Sequence, residues 1–86
     1  MKMPKLKGQP AFRDDINRFA SKYSLSQRES DVFSSLVTRV TASKDIAGHL
    51  KISANTIRNH FQNIFNKTAT KSKSELLVRF IHDLAR

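Results

Sequence analysis

The sequence predicts an all-α domain, on three observations. Apolar residues recur at helical spacing in five separate stretches, a Ser-x-x-Glu helix start occurs twice, and two Gly with two Pro leave little material for hairpin turns. Length bounds the rest: 86 residues make a single domain. A chain this short buries only about 60% of the surface its unfolded form exposes, so its apolar residues must supply one small core or a dimer seam. Without Cys there is no disulfide framework, thiolate metal site or Cys nucleophile, a pattern that suits a reducing cytoplasm. The longest strongly apolar run, Leu76-Leu77-Val78, is far short of the ~20 residues of a membrane span.

Residues 1–10 hold both Pro, three Lys and no apolar period, and read as a basic flexible arm. Phe12, Ile16, Phe19, Ala20 and Tyr23 then form a one-sided stripe after Pro10, predicting a first helix over about 11–23 within an N-terminal segment 11–24. Ser26-Gln27-Arg28-Glu29 is a capping box with Leu25 as its hydrophobic staple, opening a second helix over about 27–38. Its inner face is Val32, Phe33, Leu36 and Val37, closed by Val40. Ile46, Ala47 and Leu50 make a third helix of about two turns, with its cap at Thr41, Ala42 or Ser43. Only Lys51-Ile52 separates it from Ser53, which caps a fourth helix over about 54–67 with Ile57, Phe61, Ile64 and Phe65 inward. A loop over 68–71 leads to the second box, Ser72-Lys73-Ser74-Glu75, and a last helix carrying Leu76, Leu77, Val78, Phe80, Ile81 and Leu84.

Charge narrows the function. Sixteen Lys+Arg against seven Asp+Glu give +9, with +3 in residues 1–10 and +4 in 43–71, the balance of a nucleic-acid binder. If the fourth helix buries its apolar stripe, the ~100° step per residue turns Asn55, Arg58, Asn59, Gln62 and Asn66 to the other side. That face holds only amides and a guanidinium, with no acid from Ala54 to Lys67. Asn and Gln match adenine N6/N7 and Arg forks onto guanine O6/N7, so the set suits base edges in a major groove. A short helix, a tight turn and this second helix make a helix-turn-helix. Ser43 and Lys44 at the start of the third helix, Ser53 and Thr56 at the start of the fourth, and Lys67 and Lys71 after it are candidate phosphate contacts. The plain alternative is a solvated polar face.

Three stretches, from Leu25-Ser26-Gln27-Arg28-Glu29 through Val32-Phe33, from Lys44-Asp45-Ile46-Ala47 through Leu50-Lys51-Ile52-Ser53-Ala54-Asn55-Thr56-Ile57-Arg58-Asn59-His60 to Lys67, and Lys71-Ser72-Lys73-Ser74-Glu75, resemble the LuxR/GerE-type (NarL-type) helix-turn-helix domain of bacterial transcription regulators. The resemblance covers 25–86 and implies a four-helix domain, here with an extra N-terminal helix. It implies that the helix over about 54–67 reads bases of double-stranded DNA through Arg58, Asn59 and Gln62, that Thr56 and Lys67 hold phosphates, and that the last helix joins two copies on an inverted-repeat operator. The chain departs from the family pattern at Arg39 in place of a helix-ending Gly, at a loop one residue longer after it, at the shorter Asp45, and at Thr68-Ala69 in place of Leu-Gly, which loses a favoured left-handed residue.

The last helix has more apolar positions than one buried stripe needs, so Leu77, Phe80, Ile81 and Leu84 are candidates for a homodimer interface. Alternatively the helix over 11–23 covers the surplus. Only 24 residues precede the motif, too few for the sensor domain that most family members carry, so the chain reads as an excised domain or a small regulator governed by its amount or a partner. Catalysis finds no support: His49, His60 and His82 lack ligand spacing, there is no Gly-rich phosphate loop, and no metal or cofactor is implied. Asp14-Asp15 are helix N-terminal acids, and His60 sits at the edge of the core stripe. The rival readings are a sigma-factor region 4-like module docking on RNA polymerase, and a protein-interaction module that binds another regulator.

Overall fold

Five helices follow one another in a computed structural model that describes residues 13–38 and 43–84. They are α1 (Arg13–Lys22), α2 (Gln27–Thr38), α3 (Ser43–Leu50), α4 (Ala54–Thr68) and α5 (Lys73–Leu84), with no strand among the described residues. The basic arm, Phe12, Arg39, Val40 and two of the three cap candidates for α3, Thr41 and Ala42, lie outside the described residues.

Local chemistry sets the helix starts. Asp14 and Asp15 sit in the first turn of α1, where carboxylates complement the helix dipole. At α2 the capping box is reciprocal: Glu29 N donates to Ser26 Oγ at 3.1 Å and Ser26 N donates to Glu29 Oε1 at 2.9 Å. At α4 Ser53 Oγ accepts from Thr56 N at 3.1 Å. At α5 Glu75 N donates to Ser72 Oγ at 3.1 Å, while Glu75 Oε1 accepts from Lys71 N at 2.8 Å, one residue further back than a capping box requires.

Helix ends repeat one solution without glycine. Ser24, Lys51 and Ala69 adopt φ of 57°, 59° and 58° after α1, α3 and α4. Each reverses the chain so that the next amide bonds back into the helix: Leu25 N to Ala20 O at 2.9 Å, Ile52 N to Ala47 O at 3.0 Å, and Thr70 N to Phe65 O at 3.0 Å. The left-handed turn at the third site therefore survives the loss of Gly, with Ala69 carrying its strain of about 1–2 kcal/mol. Thr68 belongs to α4 rather than to the loop expected over 68–71. Its buried hydroxyl donates to Ile64 O at 2.8 Å and lies 2.9 Å from Thr70 Oγ1, so both threonines close the helix end from inside.

All five helices contribute to one core, formed by Ile16 and Phe19, Val32, Phe33 and Leu36, Ile46 and Ala47, Ile57, Phe61 and Ile64, and Leu76 and Phe80. Its centre is aromatic: Phe19 stacks on Phe33 at 4.7 Å between centroids, and Phe80 meets both edge-on at 5.4 and 5.2 Å. Phe80 is 3% exposed, so this candidate dimer residue is a core residue of its own chain. The reason is α1, which lays Phe19 over that flank of α5 and ties it with Asp83, whose Oδ2 accepts from Tyr23 Oη at 3.2 Å and Lys22 Nζ at 3.3 Å. The apolar surplus of α5 is thus divided. Phe80 goes to α1, Leu77 is half-buried against the core, and Val78, Ile81 and Leu84 stay 65%, 60% and 38% exposed.

Candidate nucleic-acid interface

Three residues, Lys51, Ile52 and Ser53, join α3 to α4, and backbone geometry makes so short a connection possible. Lys51 takes the left-handed conformation, Ile52 N bonds back to Ala47 O, and Ser53 caps α4 at once. Ile46, Ala47, Ile57, Phe61 and Ile64 bury the facing sides of the two helices. The opposite side of α4 is held outward as a consequence: Asn55, Arg58, Asn59, Gln62 and Asn66 are all exposed. No side-chain hydrogen bond among the described residues engages Asn55, Arg58, Asn59 or Gln62, and the first turn of α4 has no acid. The four expected base readers therefore share one face.

The expected phosphate contacts divide. Lys44 is exposed in the first turn of α3 and Lys71 is exposed between α4 and α5. Ser53 is committed to its cap, donating to Thr56 Oγ1 at 2.8 Å as well as accepting from Thr56 N, which leaves the Thr56 hydroxyl hydrogen as the outward donor. Lys67 is turned the other way. Its Nζ donates to Glu29 Oε1 at 2.7 Å and to Ser24 O at 3.2 Å, clamping α4 to the α1–α2 corner. In this fold Lys67 is thus engaged as a structural cation, which sets it apart from the other expected phosphate contacts.

Glu29 explains why that clamp is needed, since it is 5% exposed. Burial pushes its carboxyl up, but the Lys67 hydrogen bond, the Ser26 amide and the Lys67 charge outweigh burial and hold it below the ordinary glutamate value. One carboxylate therefore serves both the α2 cap and the α2–α4 contact. The capping box alone did not reveal this, because Lys67 lies 38 positions away.

The sequence places Lys73 only within the second Ser-x-x-Glu start and the family motif, and assigns it no site role. From the first residue of α5 its Nζ donates to Ser43 Oγ, at the first residue of α3, over 3.2 Å. It also stands 5.0 Å from the Phe61 ring centroid. The available signal was its place in the first turn after a Ser cap, where a cation opposes the helix dipole and needs another purpose. His60 is half-buried and His49 and His82 are exposed, and no group of three potential metal ligands occurs among the described residues.

A two-helix unit that presents an acid-free amide and guanidinium face, in a strongly basic chain, defines a helix-turn-helix DNA-binding protein. Residues 23–80 match the family model "Bacterial regulatory proteins, luxR family", and the chain belongs to that family of DNA-binding, non-enzymatic transcription regulators. It is similar to the spore germination protein GerE of Bacillus subtilis (strain 168), with 41% identity over 63 residues that span 73% of this chain and 84% of that protein. No solved structure matches it. The family match begins at Tyr23, so α1 lies outside it.

Proposed function

We propose that this regulator binds an inverted-repeat operator as a homodimer in the bacterial cytoplasm, with α4 in the major groove of each half-site. Arg58, Asn59, Gln62 and Asn55 read base edges, while Lys44, Thr56 and Lys71 hold phosphates and Ser53 orients Thr56. The observation that carries this reading is the face of α4, on which four side chains suited to base edges are exposed and unpaired beside no carboxylate. Val78, Ile81 and Leu84, spaced three apart along α5, support pairing of two copies, which matches a two-fold operator.

Selection of random duplexes by the purified chain tests it, followed by titration of wild type and R58A against the winning site and a scrambled one. R58A is expected to lose about 1–3 kcal/mol on the winning site and little on the scrambled one. Equal loss on both would remove Arg58 from base reading. A failure to enrich any site would shift the function to docking on RNA polymerase or another regulator.

A further inference from the structure

Beside the base-reading row lies a cleft of about 350 Å³, lined by Ser43 of α3, Arg58, Phe61, Gln62 and Phe65 of α4, and Lys73 of α5. One guanidinium, one ammonium, one hydroxyl and one amide converge there, and no carboxylate lines it among the described residues. The floor is apolar, with Phe61 and Phe65 stacked at 5.9 Å between centroids and the Lys73 ammonium 5.0 Å from the Phe61 centroid. Arg58 and Gln62, one helical turn apart, form the rim shared with the outward face of α4.

We propose that this cleft seats one backbone phosphate of the bound duplex, with Lys73 and Ser43 as its principal ligands. The inference rests on the DNA-binding reading, adds Lys73 to it and gives Ser43, a candidate phosphate contact from the sequence, its partner. Ser43 Oγ accepts from Lys73 Nζ, so its own hydroxyl hydrogen remains to donate to a phosphate oxygen. The aromatic floor keeps the ammonium at the cleft rather than extended into solvent, and reduces the water that a phosphate must displace. The seat also has a geometric consequence. A phosphate held from α3 and α5 together braces the duplex beside the Arg58–Gln62 edge of α4 without itself reading sequence. It joins the DNA face directly to the first turn of α5, the helix whose later turns carry the exposed apolar row.

The test is the salt dependence of duplex binding by wild type, K73Q and K73R, with thermal unfolding of each. Neutralising one phosphate contact lowers the slope of log K against log salt by about 0.9. K73Q is therefore expected to bind about eightfold more weakly near 0.1 M salt, alike on the winning and scrambled duplexes, with the deficit vanishing near 1 M. K73R is expected to keep the wild-type slope. Wild-type binding with an unchanged slope in K73Q would overturn the phosphate seat while leaving the DNA reading intact. Absence of salt-dependent binding by wild type would overturn the DNA reading itself. Where K73Q does not fold, the side-chain NMR signal of Lys73 in the wild type decides: it is expected to move on adding duplex, and a static signal overturns the seat.

Discussion

Replacing Lys67 by Met keeps most of the aliphatic stem and removes the charge that faces Glu29. The carboxylate left behind is 5% exposed and retains only its Ser26 partners. Hydrogen bonds to charged groups contribute about 1.5–3 kcal/mol, and the Lys67 side chain is 37% exposed, so solvent screening reduces the expected loss to about 1–2 kcal/mol. For a domain of this size that lowers the unfolding midpoint by about 4–15 °C. The pH dependence carries the sharper information. Because the folded-state carboxyl of Glu29 is held below its ordinary value, its contribution is fully present above about pH 4.3 and is lost as pH falls through the lowered value. Without Lys67 that lowering relaxes, so the stability gap between wild type and K67M is expected to be widest near neutrality and to close in acid. Urea unfolding from pH 7 to pH 3 measures it. The same protein is expected to keep the wild-type salt slope on duplex DNA. A gap constant across that pH range would refute the ion-pair account, and a slope lowered by about 0.9 with unchanged stability would return Lys67 to the phosphates.

Ala69→Gly removes the left-handed strain of about 1–2 kcal/mol and returns part of it as unfolded-chain entropy, so a net gain of about 0.5–1 kcal/mol is expected in denaturant unfolding. I81E places a charge in the exposed row of α5 and is expected to leave the unfolding midpoint near wild type while sedimentation shows monomer. F80A, by contrast, empties the aromatic centre and is expected to cost about 3–5 kcal/mol whether or not the chain pairs. If F80A left stability unchanged and abolished pairing, the intramolecular burial of Phe80 would be wrong.

The five helices were legible because their signals are local. Each apolar stripe, both Ser-x-x-Glu starts and the Ser53 cap are written within four or five residues of where they act, and so is the outward row of α4, which follows once Ile57, Phe61 and Ile64 are turned inward. The interactions that position that row are not local. Glu29 with Lys67 and Ser43 with Lys73 join residues 38 and 30 positions apart, and either lysine read alone is an ordinary surface cation. The misplacement of Phe80 has a related cause. Periodicity states that α5 has two apolar flanks, Leu76–Phe80 and Val78–Ile81, but it does not state what covers each. Here the cover is Phe19 and Tyr23, carried by or next to a helix that precedes the family match. The same helix therefore sets which flank of α5 stays exposed. By taking Phe80 and fixing Asp83, α1 leaves Val78, Ile81 and Leu84, beside half-buried Leu77, as the apolar row of α5 open to the proposed pairing among the described residues.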